Sequence, residues 1–399
     1  MAELSEAELR RRVRQLLDDV DVNDRVAFRG AQFDRGLAWV HFPEGKGGLG
    51  QPRHAQTIIN DELRKAPKYY DDLGVNPIGI GMAAPVLLAY ASDELQDRFL
   101  RRIFTGEEIW CQLFSEPGAG SDVATLATRA VRDGDEWVVN GQKVWTTLAH
   151  VAKWGLLLAR TDPDQPKHKG LTYFVLDMHA PGVEVRPLFQ ITGEAEFNEV
   201  FFTDARVPDS HRLGGVGEGW NVAITTLMNE RVALGGGVPA KGSGAIQLLM
   251  DLWRKRPSQG DPLDKAMRDR VVQLWIRAEV LRLTNLRARA AASSGTPGPE
   301  GSVGKLMAAE LNKAIGECAV DLLGPAGMLH PAGYPMVRPD RASLTVPDPT
   351  KRFLRMRANS IEGGTSEVMR NILGERVLGL PKEPAVDRDV PWSQIPRSA

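Results

Sequence analysis

Hydrophobic positions follow a helical period from Leu4 to about Phe104, a period near two from Glu108 to about Val207, and a helical period again after Gly219. In the first stretch Leu9, Val13, Leu16 and Leu17 share one face, and Ile58, Ile59 and Leu63 form a second, shorter stripe. Between them the run Phe42-Pro43-Glu44-Gly45-Lys46-Gly47-Gly48-Leu49-Gly50 is too rich in Gly and Pro for a regular element and is predicted to be a loop. In the middle stretch, Glu136 to Val139 and Lys143 to Thr146 flank Asn140-Gly141, a dipeptide suited to the positive φ of a tight hairpin turn. Gly155 to Ala159, Leu171 to Leu176, Val183 to Pro187 and Glu199 to Phe202 are further predicted strands. In the last stretch Leu227, Val232, Ile246, Leu249, Leu274, Val280, Leu281, Leu306, Leu311, Ala314 and Leu322 mark long apolar helices, which need one another as partners and so predict a bundle. Four prolines, Pro381, Pro384, Pro391 and Pro396, make the final stretch an extended tail. The expected fold is mainly α with a middle β domain, divided as 1–107 helical, 108–214 β, 215–379 helical and 380–399 tail.

Length supports that division, because 399 residues exceed what one compact core organises. The charge balance narrows the partners: 50 Lys and Arg against 51 Asp and Glu leave a net charge of -1, with no block of like charge to hold a polyanion such as DNA or RNA. Two cysteines, Cys111 and Cys318, lack any metal-ligand spacing and argue against a disulfide framework or structural zinc. No window of about 18 uninterrupted apolar residues exists to span a membrane, and Met1 to Arg14 is charged and amphipathic rather than a secretory signal. A soluble, cytoplasmic protein is expected.

The segment Trp110-Cys111-Gln112-Leu113-Phe114-Ser115-Glu116-Pro117-Gly118-Ala119-Gly120-Ser121-Asp122-Val123-Ala124 carries the first chemistry. Gly118 and Gly120 let backbone N–H groups approach an anion, and Ser115 and Ser121 add hydroxyl donors. It lacks the Lys of a P-loop and the strand, spaced glycines and helix of a dinucleotide fold. Two further segments stand out, Asn140-Gly141-Gln142-Lys143-Val144-Trp145-Thr146-Thr147 and Ile361-Glu362-Gly363-Gly364-Thr365-Ser366-Glu367-Val368, the latter followed by Arg370, Asn371 and Arg376.

In these three segments, in this order, the chain resembles the acyl-CoA dehydrogenase family, flavoproteins that introduce an α,β double bond into an acyl thioester. The resemblance runs from the Pro43 to Gly50 loop through Arg376. It implies a helical N-terminal domain, a middle β-barrel and a C-terminal four-helix bundle, assembled as a homotetramer, with FAD as cofactor, acyl-CoA as substrate and an electron-transfer flavoprotein as acceptor. It implies a place in lipid metabolism of the β-oxidation type. By the same resemblance Gln112, Leu113, Ser115, Gly120 and Ser121 contact the flavin, and Ser121 also the acyl-CoA. Trp145 lies against the isoalloxazine, Thr147 bonds near N5, and Gly364, Thr365 and Glu367 contact the flavin from the third segment.

Many family members place the catalytic Glu immediately before the Gly-Thr pair; here that position is Gly363, which has no side chain to take a proton. A minority pattern supplies the base from the first helix of the C-terminal domain, and within Leu227-Met228-Asn229-Glu230-Arg231-Val232-Ala233 the matching residue is Glu230. Glu362, one residue out of register, is the rival. The α-proton of a thioester is accessible to a carboxylate only if the developing enolate is stabilised. The family pattern assigns this to a flavin ribityl hydroxyl and the backbone N–H at Gly363. Met228 and Arg231 match the thioester and pantetheine channel. The resemblance further implies that Arg268, or Arg270, on the second C-terminal helix meets the pyrophosphate, and that Asp321, Gly324 and Pro325 stand at an altered adenosine-binding segment. As residues alone, Asp321 to Pro325 read equally as a helix end capped by Gly324 and stopped by Pro325. Three alternatives share the scaffold: the catalytic subunit of a heteromeric dehydrogenase, a flavin oxidase or monooxygenase, and a non-catalytic acyl-CoA-binding protein.

Overall fold

The computed structural model describes residues 3–235, 238–256, 262–293, 300–330, 336–340 and 348–396, and for 73, 230–235, 262–263, 292–293 and 300 the backbone alone. The first part holds α1 (Glu6–Asp19), α2 (Arg25–Asp34), α3 (Ala55–Leu63), the short α4 (Asp72–Val75), α5 (Ala84–Tyr90, entered through a π turn) and α6 (Asp93–Thr105). The expected stripes are there. Leu9, Val13 and Leu16 of α1 bury against Phe28 of α2 and Ile59 and Leu63 of α3. Local chemistry sets the ends of α6: the Ser92 side chain accepts from the Leu95 N–H, and Gly106 at φ +74° stops the helix where a side chain would be strained.

The middle part contains β1 (Trp110–Leu113), β2 (Arg129–Asp133), β3 (Glu136–Thr147), β4 (Trp154–Arg160), β5 (Leu171–Asp177), β6 (Val183–Pro187), β7 (Phe197–Pro208) and β8 (Arg212–Leu213). The hydrogen-bonded order is β6-β7-β3-β2-β4-β5-β8, with β1 alongside β4. One rung, Arg129 with Arg160, joins β2 to β4, so the sheet divides into two halves. The halves face each other: Leu157, Ala159, Phe174 and Leu176 of one pack against Val139, Val200, Phe202 and Val207 of the other. The alternate residues Leu156, Leu158, Tyr173 and Val175 point the opposite way, into a core with Leu87 of α5 and Phe99 and Ile103 of α6. That double burial explains why β4 reads as a continuous apolar run.

The third part contains α7 (Gly219–Gly235), α8 (Ala245–Lys255), α9 (Pro262–Ser293), α10 (Glu300–Leu323), α11 (Pro349–Arg355) and α12 (Ser366–Arg376). Ile246, Leu249, Val271, Leu274, Leu311, Ile315 and Cys318 form the shared core of α8, α9 and α10. The N-terminal half of α7 instead buries Val222 and Ala223 in the core between α5, α6 and the sheet. Two hydroxyl contacts fix its rotation, Thr225 with Tyr90 at 3.0 Å and Thr226 with Tyr173 at 2.9 Å.

One sequence expectation is corrected. Asn140-Gly141 does not turn a hairpin; β3 runs straight through it, and the turn lies at Gly134-Asp135, between Asp133 and Glu136 of the β2–β3 ladder. The Asn140 side chain both accepts from the Asp204 N–H (3.0 Å) and donates to the Asp204 carboxylate (2.9 Å) across to β7, which bulges at Thr203-Asp204 opposite it. Gly is required there because a Cβ would lie 2.5 Å from Thr128 Oγ1. The tail is irregular, as the prolines imply, yet it is docked: Trp392 and Ile395 are buried.

Candidate functional site

The first two segments are physically joined. The Val144 N–H donates to Ser115 O at 2.9 Å, and Lys143 Nζ donates to Phe114 O at 2.9 Å and to the Glu116 carboxylate at 2.8 Å. Glu116 also accepts from the Ala127 and Thr128 N–H groups, so one buried carboxylate pins both ends of the Gly-rich loop. Burial pushes the Lys143 ammonium down. Burial works against the Glu116 charge too, but Lys143 and the two N–H donors outweigh it and hold the carboxyl below its usual range.

Above that base the loop is open. Gln112 and Leu113 lie on β1, and Ser115 is half-buried where β1 ends. Gly118, Gly120, Ser121 and Asp122 are exposed, and a Cβ on either glycine would meet nothing within 4 Å. Among the described residues, the N–H groups of Gly118, Gly120, Ser121 and Asp122 have no hydrogen-bond acceptor. A cluster of outward amides on a glycine turn is a nest for a phosphate-like anion.

Beside the loop, β3 bulges between Lys143 and Thr146. Trp145 takes φ +61°, rare for a bulky residue, and its side chain is left 59% exposed. A strained bulge that presents an apolar ring to solvent is expected where a flat ligand covers it. Thr147 is half-buried, and it is the buried Thr146 hydroxyl beside it that has no hydrogen-bond partner among the described residues.

A ring stack connects the third segment. Trp145 meets Phe197 edge-on at 5.9 Å, the Arg355 guanidinium lies 5.6 Å over Phe197, and Arg355 pairs with Glu362 at 3.2 Å. Glu362 also accepts from Asn359 Nδ2 at 2.5 Å, so the rival base is doubly engaged. Gly363 and Gly364 both have positive φ, and the Gly363 N–H has no acceptor among the described residues. Lys305 Nζ donates to Gly364 O, and Thr365 caps α12 by accepting from the Val368 N–H at 3.1 Å. Glu367 is exposed and pairs with Arg370.

The remaining residues spread along the bundle. Glu230 and Arg231 lie on α7, but their side chains fall outside the described residues; Met228, two residues before Glu230, is 60% exposed. Arg268 is exposed on α9, the third helix of this part rather than the second, and Arg270 is paired with Asp321. Asp321 stands near the end of α10, and Gly324 at φ +56° opens a 3-10 turn with Pro325, so the helix-end reading holds here. This single chain does not bring these residues to the glycine loop through any described contact. The sequence reasoning missed Glu116 with Lys143, Phe197 and Arg355. For the first pair a partial signal existed, since Lys143 sits beside apolar positions of a predicted strand and Glu116 lies in the other segment already singled out.

A helical, β, helical chain with unpartnered loop amides beside an exposed, strained indole has the domain order of a known class of oxidoreductase. The chain matches the acyl-CoA dehydrogenase N-terminal domain over residues 1–107, the middle domain over 111–205 and the C-terminal domain over 217–378, and belongs to the acyl-CoA dehydrogenase family of flavin-dependent oxidoreductases. Acyl-CoA dehydrogenase IpdE1 of Mycobacterium tuberculosis is 39% identical over 348 residues, 87% of this chain and 86% of that one. FadE34 of the same organism is 42% identical over 351 residues, 88% of this chain but 45% of its own length. Among solved structures, the ChsE4-ChsE5 complex from Mycobacterium tuberculosis is similar with a TM-score of 0.70 at 29% identity, covering 96% of this chain and 99% of that one. The Tcur3481-Tcur3483 steroid ACAD is similar with a TM-score of 0.71 at 26% identity, covering 95% and 97%. Among the described residues, no helix is long and apolar enough to cross a membrane.

Proposed function

We propose that the protein is an FAD-dependent dehydrogenase that forms an α,β double bond in an acyl-CoA thioester, with Glu230 as the base. The observation that carries this reading is the chain of contacts from the glycine loop through Ser115 and Val144 to Trp145, and on through Phe197 and Arg355 to the 361–367 segment. It links unpartnered amide donors and an exposed indole through direct contacts, which fits FAD. When bound, FAD supplies the acceptor for the β-hydrogen as hydride.

Within that reading Ser115, Gly120, Ser121, Gln112 and Leu113 hold the cofactor from the loop, Trp145 covers its ring and Thr147 donates at its edge. Thr365 and Glu367 approach from α12. The free Gly363 N–H donates to the thioester oxygen, stabilising the charge that develops as Glu230 takes the α-proton. Glu362 is held by Arg355 and Asn359, which favours Glu230 over it. Met228 and Arg231 line the thioester channel. Arg268, Asp321, Gly324 and Pro325 then serve a neighbouring subunit's cofactor, with the chain as a homotetramer and an electron-transfer flavoprotein as acceptor, in the cytoplasm. Exposed Val272, Ile276, Val280 and Leu283, spaced by four, four and three along α9, support such a subunit contact.

A second reading, one subunit of a heteromeric dehydrogenase, draws on the two-protein ChsE4-ChsE5 complex. The deciding experiment mixes the purified protein anaerobically with a panel of acyl-CoA thioesters, including a ring-bearing steroid thioester, and follows flavin bleaching. Glu230→Gln is expected to abolish bleaching while FAD stays bound. Loss with Glu362→Gln instead moves the base. Bleaching that needs a second polypeptide supports the heteromer, and peroxide release under air points to an oxidase.

A further inference from the structure

The chain's final stretch returns to the glycine loop. After α12 it crosses to the middle part, where the Trp392 N–H donates to Gln165 O at 2.9 Å, the Ser393 N–H donates to Pro163 O at 2.8 Å, and Pro391 bridges Pro166. The Trp392 ring then lies under the Arg160 guanidinium at 4.7 Å, and its Nε1 donates to Thr125 O at 3.0 Å. Arg160 itself donates to Ala124 O at 2.6 Å and to Lys167 O at 2.8 Å. Lys167 completes the set: its ammonium bonds Asp122 of the loop at 2.7 Å and Asp387 of the tail at 2.6 Å. Burial opposes the Lys167 charge, but the Asp122 and Asp387 carboxylates outweigh it and raise its pKa.

These contacts converge on one side of the loop. The Glu116 side is tied through the Glu116–Ala119 bridge and the Lys143 pair. On the far side, Asp122 and Thr125 are held to the rest of the protein by Lys167 and Trp392. Between those two anchors Gly120 and Ser121 make no hydrogen bond among the described residues. The far anchor therefore sets where the unpartnered amides point, and two of its attachment points, Trp392 and Asp387, belong to the tail.

We propose that residues 387–395 are a strap that positions the 118–122 amides for the cofactor's phosphates, with Trp392 and Asp387 as positioning residues that never touch the ligand. The proposal rests on the flavoprotein reading for its ligand, though not for its mechanics. A glycine loop that loses part of its far-side anchor samples more conformations, and its ligand must then supply the cost of ordering it.

The test uses the full chain with Trp392→Ala, Asp387→Asn and Trp392→Phe, the last keeping a ring over Arg160. FAD is titrated into stripped protein by flavin fluorescence, and amide hydrogen exchange is read at residues 118–125 and in β4 and β5. Trp392→Ala and Asp387→Asn are expected to weaken FAD binding about tenfold and to speed exchange in 118–125 by a similar factor, the scale of one lost positioning interaction. Exchange in β4 and β5 stays at its wild-type rate, and Trp392→Phe recovers most of the affinity. Unchanged FAD affinity and loop exchange overturn the strap, as does exchange that rises evenly through β4 and β5. A wild-type chain that takes up no FAD sinks the flavoprotein reading instead, and loop exchange alone then decides the strap.

Discussion

Lys143 and Glu116 meet at 2.8 Å with the lysine side chain wholly buried and the glutamate 8% exposed, directly beneath the exposed glycine loop. The pair is worth little relative to an apolar pair of the same shape, but breaking it leaves one charge stranded. Glu116→Gln and Lys143→Met are each expected to cost about 3–5 kcal/mol in urea unfolding. Because the folded-state pKa of Glu116 is depressed, its stabilisation is present above the unfolded value and is lost as pH falls through the folded one. Glu116→Gln should therefore flatten the acid limb of the stability profile below about pH 4.

Trp145 should separate stability from cofactor binding. Glycine at 145 relieves the cost of φ +61°, about 1–2 kcal/mol, which offsets the lost edge contact with Phe197. Trp145→Gly is expected to melt within a few degrees of the wild type and to bind FAD at least about tenfold more weakly by fluorescence titration, the ring's stacking contribution being on the order of 1 kcal/mol or more.

His41 carries a pH window of its own. Burial, then the nearby Arg53 charge, lowers its pKa from 6.5 to about 4. The folded chain therefore resists a proton that the unfolded chain accepts between those values. Stability should fall as pH drops from 6.5 to 4, and His41→Leu should fall less steeply across that range in chemical denaturation.

Gly219 begins α7 so close to β5 that a Cβ would lie 2.6 Å from the Thr172 backbone. Neither partner is the flexible end of a side chain, so one backbone must shift. Gly219→Ala is expected to cost about 1–3 kcal/mol and, because α7 carries Glu230, to slow anaerobic flavin bleaching without removing FAD.

The elements most legible in the sequence were those whose periodicity reports a single burial face. The α1 stripe Leu9, Val13 and Leu16 is buried as read, and β6 spans Val183–Pro187 as read. Asn140-Gly141 misled because a local turn preference was overridden by tertiary pairing: the Asn140–Asp204 bonds and the close approach of Thr128 hold the dipeptide inside a long strand, opposite a bulge in β7. Val280 shows a different limit, since an apolar residue at helical spacing says that a face is sticky and not what covers it; here it is exposed on α9. The three chemical segments could be singled out from residue types alone. The contacts that join them, Phe197 with Trp145 and Arg355 with Glu362, involve residues with no sequence signal beyond an ordinary aromatic and an ordinary arginine.

The Trp392–Thr125 hydrogen bond spans 267 positions, which gives it a temporal meaning. During synthesis the glycine loop, the bulged strand and the 361–367 segment all leave the ribosome before the residues that fasten the loop's far side. A message with a stop codon between residues 380 and 387 would yield a chain with every chemical segment intact and a loop without its two tail attachments, still held by Lys167, Arg160 and Glu116. The last contacts that fix the far side of the loop therefore become available only once Trp392 has emerged.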